Sequence, residues 1–108
     1  MVEMTKGVKH DSGKPLAGLM VKDFAGALRA VSEVTTFGAG LYAPSNWRVV
    51  DNAEDRYWNA MIRHILEYAA GDATDADSGL PCLAHIAWNV LALLQFEVEK
   101  NGPALPGN

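Results

Sequence analysis

Two histidines and three aspartates have the types and the spacing expected of a divalent-metal site. His64 lies in a predicted second helix and His85 in a predicted third, and the segment between them holds Asp72, Asp75 and Asp77. At about 1.5 Å per residue, His64 lies roughly 9 Å and His85 roughly 6 Å below the loop of an antiparallel hairpin. The two imidazoles therefore reach similar heights, with the three carboxylates above them. Such an oxygen-rich donor set suits Mg²⁺ or Mn²⁺.

The same residues also have a purely structural interpretation, which the sequence leaves open. His85 and Asn89 are four residues apart and therefore share one face of a helix. Polar side chains in apolar helical surroundings need hydrogen-bond partners. Both histidines can thus be hydrogen-bonded core residues, while the aspartates form a solvated loop and a helix cap.

Aromatic and basic residues outside the hairpin are candidates for binding a phosphate-bearing ligand. Trp47 stands between Asn46 and Arg48, and a flat ring beside an amide and a guanidinium can stack on a base and hold a phosphate. Trp47 can equally anchor its loop on the core, and the basic residues can be solvated or paired with acids. The candidate substrate-binding residues are Lys9, Lys14, Asn46, Trp47, Arg48, Arg63 and Asn89.

Three shorter features lack the spacing or the partners that their chemistry requires. Five residues separate Gly7 from Gly13, whereas a phosphate-binding loop has about four between its glycines. The run from Asp75 to Gly79 lacks the length and the closing glutamate of a calcium loop. Cys82 lies near the start of a predicted helix, where a thiol pKa can fall, but we expect a buried structural thiol.

The hydrophobic pattern predicts an all-α domain of about three main helices, because no segment alternates as a strand does. The helices are expected over about 23–37, 53–70 and 81–100, with Gly38 and Gly40 ending the first and Asp77 or Ser78 capping the third. The last two helices should form an antiparallel hairpin in a small bundle. Residues 1–21 are expected to be irregular and 102–108 to form a flexible tail. The apolar stripe of the second helix should contain Trp58, Met61, Ile62, Ile65, Tyr68 and Ala69, with His64 facing inward beside Tyr57, Met61 and Tyr68.

Length, charge and cysteine content narrow the class of protein. The 108 residues, 49% apolar and 20% charged, suit a single domain over 1–108. Residues 1–50 carry six basic and four acidic groups (net +2), and residues 51–108 carry three and nine (net −6). This division argues against a protein that coats nucleic-acid phosphates. A single cysteine favours a reducing, cytoplasmic compartment, and the longest apolar run, 80–96, is too short and too polar for a membrane span.

Several short segments, taken in their order along the chain, together resemble those of a known family. They are Lys9-His10-Asp11-Ser12-Gly13-Lys14-Pro15, Phe37-Gly38-Ala39, Asn46-Trp47-Arg48, Arg63-His64, Asp75-Ala76-Asp77-Ser78-Gly79-Leu80, and Leu83-Ala84-His85 with Asn89. This ordered set resembles the phage dATP/dGTP diphosphohydrolase N-terminal family. That family is similar in turn to the MazG-like all-α nucleoside triphosphate pyrophosphohydrolases. The resemblance covers about residues 8–97.

The resemblance implies an all-α, MazG-like fold, a divalent metal ion, and hydrolysis of a purine deoxynucleoside triphosphate to the monophosphate and pyrophosphate. It also implies a homodimer or homotetramer with sites near subunit contacts. MazG-like enzymes carry a Glu-x-x-Glu pair on one helix and a Glu-x-x-Asp pair on the next. The matching places here resemble His64-x-x-Glu67 and Cys82-x-x-His85, so the carboxylates of that motif are largely replaced, and Cys82 stands where close relatives are expected to have histidine.

Roles for individual residues combine the resemblance with the positions of these residues in the hairpin. Our hypothesis assigns metal binding to His64, Asp75, Asp77 and His85, with Glu67 and Asp72 in reserve. Asp75 is the first candidate for orienting the attacking water as general base, and His64 and Glu67 complete the predicted catalytic set. Lys14, Arg48 and Arg63 would contact phosphates, whereas Asn46 and Trp47 would contact the base or the sugar.

Two functions without catalysis are the alternatives. The chain can be a nucleotide sensor or helical adaptor that keeps the fold after losing the Glu-x-x-Glu carboxylates. It can also be a helical oligomerisation module, which would show no metal-dependent rise in melting temperature.

Overall fold

The computed structural model describes residues 7–102, and this part of the chain is helical without any strand. Four α-helices follow one another, with one short 3₁₀ turn between the second and the third. They are α1 (Ala17–Asp23), α2 (Ala25–Leu41), the 3₁₀ turn (Asn46–Val49), α3 (Ala53–Ala69) and α4 (Cys82–Lys100). The prediction of an all-α helical bundle is confirmed.

The α3–α4 hairpin forms the largest interface of the fold, and its two ends are tied together by specific contacts. At the open end, Lys100 Nζ lies 3.2 Å from Glu54 Oε1. At the loop end, the backbone N–H of Cys82 donates to the carbonyl of Ala73 at 2.9 Å. Gly71, with φ +106°, takes the left-handed conformation that terminates α3. The antiparallel hairpin predicted over 53–70 and 81–100 is thus confirmed to within a residue or so at each end.

The N-terminal half differs from the sequence prediction at two places. Residues 17–21, predicted to be irregular, belong to α1, and the chain bends at Phe24 (φ −114°, ψ 25°) before α2 begins. Gly38 and Gly40 do not end the helix, since α2 continues to Leu41. A glycine inside a helix costs only about 1 kcal/mol, so packing of α2 on α4 overrides it. Residues 1–6 and 103–108, including nearly all of the predicted tail, lie outside the described residues.

The start of α4 also corrects a prediction. Pro81 occupies the position before the first helical residue, and neither Asp77 nor Ser78 caps the helix with its side chain. Both residues lie further back in the loop, where the Ser78 hydroxyl contacts Asp75 and His85 instead.

The buried side of α3 is narrower than the predicted stripe. Met61 and His64 are buried, whereas Trp58 and Tyr68 are 54% and 45% exposed. Because α3 packs mainly on α4 and the 3₁₀ turn, only a thin strip of its surface is covered. The strip passes through Tyr57, Met61 and His64, so the inward direction expected for His64 is confirmed.

Four aromatic rings join the 3₁₀ turn to the middle of the hairpin. Trp47 lies 6.0 Å from Trp88 and 5.1 Å from Phe96 between ring centroids, and Tyr57 lies 5.5 Å from Trp88. The Tyr57 hydroxyl donates to the carbonyl of Trp47 at 2.7 Å. Burial raises the pKa of this hydroxyl, against an opposing effect of the nearby Arg56 cation. The cluster therefore holds the loop 42–52 against α3 and α4.

The Tyr57 hydrogen bond gives a test of this attachment. Tyr57→Phe should lower the free energy of unfolding by about 0.5–1.5 kcal/mol, because it leaves the Trp47 carbonyl without its donor. Urea unfolding followed by circular dichroism measures the change. The matched control is Tyr68→Phe at a half-exposed position of the same helix, for which we expect a change within about 0.5 kcal/mol. Equal losses in the two variants would contradict the role given to Tyr57.

Candidate functional site

Two pairs of side chains, each spaced i to i+3, face one another across the hairpin. His64 and Glu67 project from the last turns of α3, and Cys82 and His85 project from the first turn of α4. The two imidazole rings stack with centroids 4.5 Å apart and planes inclined by 14°. Glu67 Oε2 lies 3.6 Å from His64 Nδ1 and 3.8 Å from Cys82 Sγ. Residues three apart share a helix face, which brings these four groups together.

The α3–α4 loop adds a buried carboxylate to these pairs. The Asp75 backbone N–H donates to Leu80 O at 2.8 Å, and Gly79 N–H donates to Asp75 O at 2.8 Å. Gly79 has φ +72°, a conformation that glycine adopts without strain. This tight loop directs the Asp75 side chain inward, where Oδ1 lies 3.8 Å from His64 Nδ1 and Oδ2 lies 3.8 Å from His85 Nε2.

Ser78 connects Asp75 to His85 through a fully used hydroxyl. Its Oγ lies 2.9 Å from Asp75 Oδ2 and 2.6 Å from His85 Nε2, and it accepts a bond from Leu80 N–H at 3.1 Å. A hydroxyl has one proton, and an ionised carboxylate can only accept. Ser78 therefore donates to Asp75, and His85 must carry its proton on Nε2 and donate to Ser78. The network assigns the tautomer of His85.

The charge states in the cluster follow from the same contacts. Burial alone would raise the pKa of the Asp75 carboxyl, but the bonds from Ser78 N–H and Oγ–H, with His85 and His64 nearby, hold it below its ordinary value. Burial, together with the neighbouring His64, lowers the pKa of His85 despite the opposing effect of Asp75 and Glu67. Asp75 is thus an anion and His85 a neutral imidazole near neutral pH.

His64 is the one member of the cluster whose polar group lacks a partner. Its Nδ1 is buried without a hydrogen bond, and the nearest carboxylate oxygens, those of Glu67 and Asp75, stand at 3.6 and 3.8 Å. A buried polar atom without a partner costs about 1–3 kcal/mol. A nitrogen and two carboxylate oxygens that point into one small region are the arrangement that a cation would satisfy.

Only part of the predicted metal set converges. The structure brings His64, Asp75, His85 and the reserve residue Glu67 together, as described above. Asp72 and Asp77 are exposed, and Asp72 contributes to the cluster through its carbonyl, which accepts from Cys82 Sγ at 3.2 Å. Within residues 7–102, the three side chains whose donor atoms all lie within 4.8 Å of one another are His64, Glu67 and Cys82.

The predicted substrate-binding residues are more scattered. Asn89 is buried and donates its amide N–H to the His85 carbonyl at 2.8 Å. Arg48 lies over the Trp47 ring at 4.7 Å and donates to Glu99 Oε1 at 2.7 Å, which lowers the pKa of that carboxyl. Three further basic side chains are exposed, namely those of Lys9, Lys14 and Arg63. Asn46 is half-buried in the 3₁₀ turn.

An open groove between α2 and α4 passes beside the aromatic cluster. Its volume is about 450 Å³, and its walls include Val31 and Thr35 of α2, Trp88 and Leu91 of α4, and Trp47. Trp88 Nε1 donates to Thr35 Oγ1 at 3.2 Å across this groove. Trp47 therefore packs against the core through some of its surface and lines the groove with another part.

Two residues of the cluster were not given these roles from the sequence. Ser78 was expected only as a helix cap, although it follows Asp75 by three residues, a spacing at which an aspartate commonly accepts a bond from the loop backbone. Cys82 was expected as a structural thiol. Burial, followed by the nearby carboxylates of Glu67 and Asp75, raises the pKa of this thiol, so it is not an activated nucleophile.

Comparison with known protein families places the chain. Residues 4–104 match the family described as dATP/dGTP diphosphohydrolase, N-terminal. The chain belongs to that family. The match spans almost all of the 108 residues and includes every side chain of the buried cluster. No curated protein and no solved structure matches the chain.

The two pairs His64-x-x-Glu67 and Cys82-x-x-His85, which the sequence analysis singled out, meet between α3 and α4. None of the helices within residues 7–102 is both long enough and apolar enough to cross a membrane.

Removal of the Ser78 hydroxyl tests the network. Ser78→Ala should lower the free energy of unfolding by about 1–3 kcal/mol, because Asp75 and the Nε2–H of His85 lose a buried partner together. Urea denaturation measures this loss. Ser32→Ala removes a local hydroxyl bond on the exposed face of α2 and serves as the control. A loss for Ser78→Ala no larger than for Ser32→Ala would contradict the network.

Proposed function

We propose that the chain hydrolyses dATP and dGTP to the deoxynucleoside monophosphate and pyrophosphate, with Mg²⁺ or Mn²⁺ as the ion that accompanies the triphosphate. The single observation that carries this proposal is the family match over residues 4–104. The buried cluster of two imidazoles and two carboxylates at the loop end of the hairpin supports the location of the reaction. Within the described residues, it brings together the largest group of possible metal ligands and proton acceptors.

The residues of the cluster fit a divalent ion by the chemistry of their donors. His64 Nδ1 is buried without a hydrogen-bond partner and offers a lone pair when the proton is on Nε2, and Glu67 and Asp75 offer carboxylate oxygens within 4 Å of it. A divalent ion bound there would neutralise phosphate charge and lower the pKa of a water molecule. We propose His64, Glu67 and Asp75 as the principal ligands, with His85, Asp72 and Asp77 as the remaining predicted ones.

In the proposed reaction, a water oxygen bonds to the α-phosphorus while the bond from that phosphorus to the oxygen bridging to the β-phosphorus breaks. Pyrophosphate leaves, and the water's proton passes to a carboxylate. The geometry favours Glu67 over the predicted Asp75 as proton acceptor. Asp75 Oδ2 already accepts two bonds from Ser78, and its lowered pKa makes it a poor base. Glu67 is partly exposed and accessible to water.

The substrate would extend from this cluster along the outside of the hairpin. Arg63 precedes His64 on α3 and is exposed, so it is suited to a phosphate. Lys9 and Lys14 are exposed in the N-terminal segment and are the other proposed phosphate contacts. Arg48 is paired with Glu99, about 21 Å along α4 from His85, so it lies too far from the cluster to share those phosphates. The groove beside Trp47 and Asn46 is the proposed place for the purine base, because base–aromatic stacking is favourable for every base.

A second copy of the chain is proposed to cover the apolar surface that the fold leaves open. Large apolar side chains are exposed on α1, α3 and α4, including Met20, Trp58, Leu66, Leu91 and Leu94. Where such side chains adjoin one another on the surface, they mark an interaction site. We therefore propose a homodimer or homotetramer. Light scattering measures the mass of the assembly in solution and distinguishes the two.

The Glu67→Gln variant tests the proposed chemistry. It should lower the rate of pyrophosphate release from dATP and dGTP by about 100-fold or more, since an amide cannot accept the water's proton. The measurement is release of pyrophosphate and monophosphate from a panel of deoxynucleoside and ribonucleoside triphosphates with Mg²⁺ or Mn²⁺. The matched control is Glu97→Gln at an exposed position on α4, which should retain the wild-type rate.

Two results would contradict the proposal. Wild-type turnover by Glu67→Gln would contradict the role of Glu67 as ligand and proton acceptor. Absence of pyrophosphate across the whole panel, from folded chain with metal present, would favour the nucleotide sensor, provided that calorimetry detects nucleotide binding.

A further inference from the structure

Cys82 is the most deeply buried side chain within the described residues, and it sits inside the polar cluster. Its exposed fraction is 0%, and its Sγ lies 3.8 Å from Glu67 Oε2. One ring nitrogen of His64 lies with these donor atoms so that all three are within 4.8 Å of one another. A sulfur, a carboxylate oxygen and an imidazole nitrogen thus converge on one point between α3 and α4.

As a thiol, Cys82 has a hydrogen-bond partner and needs no ion. Its Sγ–H can donate to the Asp72 carbonyl at 3.2 Å. The independent observation that points to a ligand is His64 Nδ1, which has no partner although His64 is only 7% exposed. That nitrogen opens toward the same region as Glu67 and Asp75. In the tautomer that carries its proton on Nε2, the Nδ1 lone pair faces carboxylate oxygens, and a cation between them would satisfy both.

The separations between the donor atoms favour a tetrahedral ion. Bond lengths of about 2.0–2.1 Å to nitrogen or oxygen and about 2.3 Å to sulfur place tetrahedral ligand atoms about 3.4–3.6 Å apart. The nitrogen–oxygen separation between His64 and Glu67 is 3.6 Å, and the sulfur–oxygen separation between Cys82 and Glu67 is 3.8 Å. These two separations would need movements of a few tenths of an ångström, and the separation between His64 and Cys82, which is within 4.8 Å, would have to shorten by up to about 1.2 Å. Asp75 Oδ1, 3.8 Å from His64 Nδ1, is the nearest further donor.

We infer that His64, Glu67 and Cys82 bind one borderline-soft divalent transition ion, of which Zn²⁺ is the representative. The inference rests on the proposed function in so far as it shares that site, but ion binding is measured without nucleotide. A thiolate ligand selects Zn²⁺ or Co²⁺ over the oxygen-preferring Mg²⁺. His64 and Glu67 are also ligands of the divalent ion in the proposed function, so Zn²⁺ would take the place of Mg²⁺ or Mn²⁺ at this cluster, and a second divalent ion would arrive with the triphosphate. On binding, the Cys82 thiol gives its proton to solvent and its sulfur bonds to the ion.

Titration of the metal-free full chain with Co²⁺ tests the inference, because thiolate bonded to Co²⁺ gives a charge-transfer band in the near ultraviolet. We expect this band, together with intense visible bands of a tetrahedral ion, to saturate at one ion per chain. Zn²⁺ should abolish the spectrum, whereas excess Mg²⁺ should leave it unchanged. Cys82→Ser should lose the charge-transfer band and bind Zn²⁺ at least about 10- to 100-fold more weakly, as loss of even an outer partner of a ligand does.

A second variant keeps the test decisive if Cys82→Ser does not fold. Glu67→Gln at a partly exposed position should keep the charge-transfer band, weaken Zn²⁺ binding and alter the visible bands. Glu97→Gln, an exposed acid on α4 outside the cluster, is the matched control and should bind as the wild type does. Circular dichroism confirms the fold of each variant.

Three outcomes would overturn the inference: no charge-transfer band with the wild type, an unchanged band in folded Cys82→Ser, or displacement of Co²⁺ by equimolar Mg²⁺. Failure of the hydrolysis proposal is distinguished separately. A chain that binds Co²⁺ through sulfur but releases no pyrophosphate retains the ion site and loses the proposed activity. A chain that hydrolyses dGTP without the band does the reverse.

Discussion

Burial of a charged and polar cluster between α3 and α4 is the constraint on which the rest of the structure depends. Among the described residues, the deeply buried side chains are few, and they include His64, Asp75, His85 and Asn89. Buried polar groups are costly unless each finds a partner. Ser78 satisfies Asp75 and His85, and the His85 carbonyl satisfies Asn89, but His64 Nδ1 is left without one. A domain with little apolar core therefore buries one polar atom, His64 Nδ1, without a partner, which is typical of a binding site rather than of a group that stabilises the fold.

Contacts elsewhere in the hairpin offset the free-energy cost of burying the polar cluster. The tight loop with Gly71 and Gly79 aligns the ends of the two helices, and the Lys100–Glu54 contact closes the opposite end of the hairpin. The aromatic cluster around Trp47 supplies apolar contacts about 10 Å from His64, since Tyr57 precedes it by seven residues on α3. The stabilising aromatic contacts and the polar cluster thus lie at different positions along the same hairpin.

Much of this arrangement was predictable from the sequence, and the remainder depends on contacts that no pattern encodes. The two hairpin helices follow from long periodic segments bounded by turn residues, and the meeting of His64 with His85 follows from their distances to a common loop. The extent of α2 was not predictable, because packing on α4 overrides the two glycines near its end. The sequence also did not predict that, of the three loop aspartates, Asp75 is the one that points inward, since this depends on its hydrogen bonds with Ser78 and Leu80. The contact between Cys82 and Glu67 is visible only in the structure, and without it the Cys82 sulfur could not be identified as a possible ligand.

The most direct test of the account compares the stability of the wild type and His64→Leu, each with a chelator and with saturating Zn²⁺. The leucine removes the unpartnered nitrogen, so without the ion the variant should unfold with a free energy equal to or above that of the wild type. With the ion at about 100 times its dissociation constant, the wild type should gain about 2.7 kcal/mol, and the variant should gain much less. A variant that is about 2 kcal/mol or more less stable without the ion, together with equal gains for both proteins on adding it, would contradict the account.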